Sequence, residues 1–222
     1  MKKVVAVLVI IAIIIAITAG VFFGATAIRF YYSRPIKIVG ESMLPTFNDG
    51  ELRRVDTKGK LDFYSVAVFF YDETAESDPK GEYYDKNSFL RCMPIFGLRI
   101  KDNFTYDILV KRIVGLPGDK VELRAETIDD INFIFLYRND EKVDEDIVML
   151  DCDSLNEATL NYAEKLTAEG GIEATQGVRP FPAYVVPEGC YFVLGDNRDK
   201  SIDSRYFTFG AVPERYFLGV VK

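Results

Sequence analysis

The sequence predicts a mainly β domain carried behind one N-terminal transmembrane helix, on three observations. Residues 4–28 contain no charged side chain and are dominated by Val, Ile, Leu, Ala and Phe. Beyond them, short apolar and β-branched runs recur at 36–39, 66–71, 106–114, 120–123, 133–137, 184–186, 191–194 and 217–221. Turn signals such as Asn48-Asp49-Gly50, Pro117-Gly118-Asp119 and Pro187-Glu188-Gly189 separate those runs. At 222 residues, 49% of them hydrophobic, the chain has room for one membrane segment and one domain with its own core.

As a helix, the 4–28 run is long enough to cross a hydrocarbon core of about 30 Å. Ala25-Thr26-Ala27 offers the small-x-small pattern of a cleaved leader, but the apolar stretch well exceeds the roughly 7–15 residues of a leader's apolar region, which favours a retained anchor. Lys2 and Lys3 favour a cytoplasmic N-terminus over residues 1–3, while Arg29, Arg34 and Lys37 past the other end blunt that argument. Phe30, Tyr31 and Tyr32 sit where an aromatic belt would meet the headgroups. Residues 29–222 then form the soluble domain, its folded part starting near Pro35.

Within that domain, two stretches at about 72–103 and 124–182 read as polar, acidic and irregular insertions with little chemistry expected. The second holds a helix signal: Ser154-Leu155-Asn156-Glu157 has capping-box form, Leu155, Thr159, Tyr162 and Leu166 share a face, and Gly170-Gly171 can end it.

A net charge of −7 leaves no basic surplus to neutralise phosphates, so a nucleic-acid partner is not expected. The chain has no histidine, which excludes Ser-His-Asp triads, Cys-His dyads and histidine metal sites; acid–base chemistry falls to Lys, Asp, Glu, Tyr or Cys. Cys92, Cys152 and Cys190 lack the paired spacing of a zinc or redox motif. A Cys152–Cys190 disulfide and three buried thiols are equally compatible with them. No metal or cofactor is expected.

Three elements carry candidate chemistry. In Gly40-Glu41-Ser42-Met43-Leu44-Pro45-Thr46, a serine follows an apolar run and precedes a proline bend, a place for an exposed nucleophile beside free N–H groups or for an ordinary turn residue. In 106–114, an extended chain puts Leu109, Lys111 and Ile113 on one face and Val110, Arg112 and Val114 on the other. Burial among these neighbours would lower the Lys111 pKa, as a lysine general base requires; a lysine snorkelling from a strand edge fits the same run. The third is the polar block Gly195-Asp196-Asn197-Arg198-Asp199-Lys200-Ser201-Ile202-Asp203-Ser204-Arg205-Tyr206. If extended, it lines Ser201, Asp203 and Arg205 on one face, where Asp203 and Arg205 can pair and Ser201 can meet an amine. Such composition also suits a solvated loop.

In this order the three elements resemble the nucleophile, general-base and final boxes of the type I signal peptidases, the Gram-positive kind included. The last match, 195–206, is the longest and most specific. The resemblance implies Ser42 as the acylated nucleophile and Lys111 as the base that takes its proton and returns it to the leaving amine. Ser201 would orient the Lys111 amine, Asp203 and Arg205 would hold the final segment as an ion pair, and Met43 and Pro45 would fix the turn that aims Ser42. The Ser42 N–H would be one oxyanion donor. The implied fold is an antiparallel two-sheet catalytic domain on the extracytoplasmic side of the cell membrane. Its substrates would be preprotein signal peptides at the lipid bilayer, cut after small-x-small sites and bound as an added strand.

This chain departs from the family pattern at two places. Gly40 stands where some members place a hydroxyl oxyanion donor, and Tyr64-Ser65 precedes the 66–71 run where members usually have Gly-Asp. Two rival readings remain: a soluble self-cleaving Ser/Lys peptidase of the repressor type, opposed by the anchor and the acidic charge, and a tethered β-rich binding module without catalysis.

Overall fold

The computed structural model describes residues 2–71, 107–129, 131–147, 149–151, 161, 177–206 and 210–222. The 72–103 stretch, the 154–171 helix signal apart from residue 161, Cys92 and Cys152 lie outside the described residues.

A 31-residue helix, α1 (Lys2–Tyr32), opens the chain. Its described side chains, at 10–25, include Ile10, Ile14, Ile17, Phe22 and Phe23, all exposed. Among the described residues no helix is long and apolar enough to cross a membrane.

The helix leads directly into β1 (Ser33–Lys37), which pairs antiparallel with β2 (Leu52–Asp56). The remaining strands are β3 (Val66–Tyr71), β4 (Asp107–Gly115), β5 (Lys120–Ile128), β6 (Ile131–Arg138), β7 (Glu141–Lys142), β8 (Met149–Leu150), β9 (Phe181–Val185), β10 (Cys190–Leu194), β11 (Val212–Pro213) and β12 (Phe217–Val221). They form two antiparallel sheets, a first in the order β1-β2-β12-β3-β4-β10-β11 and a second in the order β7-β6-β5-β9, with β8 against β6. The domain is therefore mainly β and antiparallel, as the sequence predicts.

Strand β10 and the 113–115 end of β4 are buried on both faces and divide the core. Tyr191, Val193 and Ile113 pack with Val68, Phe69 and Phe217 of the first sheet. The alternate residues Phe192, Leu194 and Val114 pack with Val121, Leu123, Ile134 and Leu136 of the second. Burial on both faces makes β10 an uninterrupted apolar run.

One expectation is corrected. The described residues of the 124–182 stretch are not an irregular excursion: they carry most of β5, all of β6, β7 and β8, and the start of β9. Along β5, Val121 and Leu123 point into the core while Glu122, Arg124 and Glu126 take the other face, so a half-solvated hairpin looks polar in sequence. Arg124 pairs with Glu122 at 2.7 Å on that outer face.

Candidate active site

The loop between β1 and β2 is held as a closed turn. Ile38 and Glu51 close its base, with Ile38 N–H donating to the Glu51 carbonyl at 2.8 Å and Gly50 N–H to the Ile38 carbonyl at 2.9 Å. Ile38, Met43 and Phe47 plug it into a small core of their own against Val66 and Val110. Phe47 N–H donates to the Met43 carbonyl at 2.9 Å, giving one tight turn after Ser42. Gly40 enters the loop at φ +87°, a left-handed conformation that glycine adopts without strain, and its N–H donates to Asp49 Oδ1 at 2.8 Å. Met43 is thus a buried anchor, while Pro45 is exposed and follows a cis peptide bond.

This turn presents Ser42, half-buried, to the side chain of Lys111 on β4. Lys111 Nζ donates to Ser42 Oγ at 2.7 Å. Lys111 is 3% exposed. Burial lowers its pKa to about 8, against the partial opposition of the Asp203 and Asp196 carboxylates. Neither carboxylate is free for it. Asp203 binds Arg205 through Nε at 2.8 Å and Nη2 at 2.9 Å, and Asp196 binds Arg112 through Nε at 2.7 Å and Nη2 at 2.6 Å.

The 195–206 block is a sequence of bends, not a strand, so its three expected residues do not line up by alternation. It still delivers them. Asp203 is fully buried and also accepts the Gly195 N–H at 3.0 Å, which fastens the block's start to its end. Arg205 Nη2 donates to the Arg198 carbonyl at 2.8 Å. Ser201 is buried beside Gly195, and its hydroxyl has no hydrogen-bond partner among the described residues, the Lys111 amine included. A Cβ on Gly195 would lie 2.2 Å from Ser201 Oγ and 2.6 Å from the Ser42 carbonyl oxygen, so only glycine fits where the block meets the nucleophile loop. Asn197 N–H donates to that Ser42 carbonyl at 3.1 Å.

Several supporting residues escaped the sequence reading. Thr46 Oγ1 donates to Asp196 Oδ2 at 2.5 Å, so Asp196 joins the nucleophile loop to β4 through Arg112. Burial opposes the Arg112 cation, but Asp196 outweighs it and raises the pKa. Arg198, buried on every side, binds Glu145 through Nη2 at 2.6 Å and Nη1 at 3.0 Å. A second basic residue beside Lys111 in an apolar strand was the available signal for Arg112; nothing local marked Glu145.

Beside Ser42 and Lys111 a groove of about 290 Å³ is lined by Ile36, Ile38, Val39, Met43, Ile108 and Val110. The β4 pairing with β10 stops at Arg112, so that edge of β4 at 107–110 carries no strand among the described residues.

Comparison with known proteins gives one answer. The chain matches the signal peptidase, peptidase S26, family over residues 2–222. Signal peptidase IB of Staphylococcus aureus is 32% identical over 197 residues, covering 85% of this chain and 75% of the relative. Signal peptidase I of Pseudomonas aeruginosa is 31% identical over 211 residues, covering 90% and 66%. A crystal structure of a signal peptidase I from Enterococcus faecalis aligns with a TM-score of 0.37 at 24% identity, over 73% of this chain and 97% of that one. With its whole described length inside that family match, the chain belongs to the signal peptidase, peptidase S26, family.

Proposed function

We propose that the chain is a membrane-anchored serine endopeptidase that removes signal peptides from preproteins, with Ser42 as nucleophile and Lys111 as general base. The observation that carries this reading is the 2.7 Å contact between a buried lysine without a carboxylate of its own and a loop serine. With a pKa near 8, a substantial share of Lys111 is neutral at physiological pH. The neutral amine accepts the Ser42 hydroxyl proton as Oγ attacks the scissile carbonyl. Returning that proton to the leaving amine completes acylation, and a water activated by the same lysine releases the acyl group. The Ser42 N–H is one donor to the developing oxyanion; Gly40 supplies no hydroxyl for a second. Ser201 orients the Lys111 amine during the reaction in this reading, although the two do not bond at rest. Asp203 and Arg205 hold the block, and Met43 and Pro45 aim the loop.

An extended substrate segment adds to the edge of β4 that carries no strand among the described residues, with small side chains one and three residues before the cut entering the apolar groove. Residues 4–28 of α1 form the anchor, residues 1–3 face the cytoplasm and residues 29–222 lie on the extracytoplasmic side. The charge-free sequence, the single continuous helix and its exposed apolar side chains support this placement.

The test is cleavage of a preprotein bearing a small-x-small site by the full chain in detergent. Ser42→Ala and Lys111→Ala are each expected to abolish it, and cleavage retained by either sinks the dyad. Wild-type cleavage is expected to fall as pH drops through about 8, because protonation removes the base. A rate flat from about pH 5 to 9 contradicts it.

A further inference from the structure

We infer that Tyr64 and Glu145 form a positioning pair through which the second sheet holds the dyad in its working geometry. The inference rests on the Ser42–Lys111 reading and adds to it residues that lie outside the matched motifs.

Tyr64 is the unusual residue. Its φ is +66°, a left-handed conformation that a bulky side chain rarely adopts. Such outliers persist only where the surroundings over-determine them. Here Tyr64 N–H donates to the Ile113 carbonyl at 2.7 Å, and the Tyr64 carbonyl accepts Arg112 Nη1 at 2.8 Å, so β4 fixes the backbone on both sides. The conformation turns the ring beneath Arg112, whose guanidinium carbon lies 4.5 Å from the ring centre. It also carries the phenol to Glu145, with the hydroxyl donating to Oε1 at 3.1 Å.

Glu145 is the meeting point. It lies between β7 and β8 of the second sheet, its side chain is 4% exposed, and it holds the fully buried Arg198 with two bonds. Two routes run from this carboxylate to the dyad. One passes through Arg198, whose Nε donates to the Gly195 carbonyl at 3.0 Å, to the segment whose Asn197 N–H holds the Ser42 carbonyl. The other passes through the Tyr64 ring to Arg112 and Asp196, and from Asp196 to Thr46 of the nucleophile loop. Both routes end on the loop that aims Ser42.

The charges give the pair a consequence that simple fold support lacks. Lys111 is faced by Asp203, Asp196 and Arg205, all from the block after β10. Arg198 interacts with Glu145 first and then with Asp196 and Asp203. With Glu145 neutral, the Arg198 cation is no longer offset, so its field adds to that of Arg205 against the Lys111 ammonium, and the lysine loses its proton at lower pH.

Steady-state cleavage of a small-x-small preprotein by the full chain in detergent, measured across pH, tests this with Glu145→Gln, Glu145→Asp and Tyr64→Phe beside Ser42→Ala. Glu145→Gln is expected to lower kcat about tenfold to a hundredfold at a KM within about twofold, as a displaced reactive group does. Its acid limb should move below that of the wild type, and Glu145→Asp, which keeps the charge, should restore the limb and most of kcat. Tyr64→Phe should lower kcat by a few-fold, about threefold to tenfold, on the same grounds. A folded Glu145→Gln variant with wild-type kcat, or one whose loss follows its folded fraction while the acid limb stays in place, overturns the inference. If Glu145→Gln does not fold, wild-type kcat in Tyr64→Phe overturns it. Cleavage retained in Ser42→Ala shows instead that the dyad reading itself has failed.

Discussion

Strand β4 sets two basic residues side by side on opposite faces and treats them in opposite ways. Arg112, its side chain 13% exposed, receives both oxygens of Asp196, the Tyr64 carbonyl and the Tyr64 ring. Lys111, 3% exposed, receives one serine hydroxyl. Burial disfavours both cations, yet the pKa rises for Arg112 and falls for Lys111. The difference lies in the counter-ion. A carboxylate in direct contact outweighs desolvation; carboxylates already committed to arginines do not. A basic side chain becomes a base here because a partner is withheld from it.

Replacing the lysine with the other kind of cation gives the largest expected effect. Lys111→Arg keeps a positive charge that cannot be given up near neutral pH, so cleavage should fall by about 10²–10⁴-fold at least, with no recovery up to pH about 9. Activity that rises with pH in this variant would break the contrast. Gly195→Ala comes next. Its methyl meets Ser201 and the Ser42 carbonyl oxygen at 2.2 and 2.6 Å, so kcat should drop by about a hundredfold through displacement of the nucleophile loop, read in the same assay.

Arg112→Leu leaves Asp196, 1% exposed, with the Thr46 hydroxyl but without its guanidinium counter-ion. Chemical unfolding should report a loss of about 3–5 kcal/mol. In the folded fraction the acid limb should move up in pH, because the released carboxylate now favours the Lys111 ammonium; an unmoved limb separates the two faces of β4 more completely than the structure implies. The smallest effect belongs to Lys200→Ala, which removes an exposed pair with Glu41 at 2.8 Å and should change stability by under about 1 kcal/mol in thermal unfolding.

Legibility in the sequence followed how local each signal was. β3 and β12 coincide with their apolar runs, β4 is shifted from its run by one residue at each end and β10 starts one residue earlier, because buried strands are continuous in composition. β2, with Arg53 and Arg54 beside the buried Val55, gave no such run. The second sheet was misread because its outer face is charged. At the site, Ser42, Lys111, Asp203 and Arg205 could be singled out from motif-like strings, and the fold brings them together. The bends of the 195–206 block, the unbonded Ser201 hydroxyl and the Glu145–Arg198 pair depend on contacts between distant parts of the chain, which no local pattern encodes. Tyr64 shows the limit most clearly, since a glycine-like backbone angle is hidden under an aromatic residue.

Because α1 runs into β1 without an intervening loop, the distance from helix end to nucleophile is short and nearly inextensible. At about 3.3 Å per residue, the segment from Tyr32 to Ser42 cannot place the reactive oxygen more than roughly 33 Å from the helix end. With the helix anchored as proposed, the protein behaves as a ruler: it selects a bond by its height above the bilayer as well as by the side chains flanking it. A scissile bond carried farther out on a longer spacer would have to fold back to be reached.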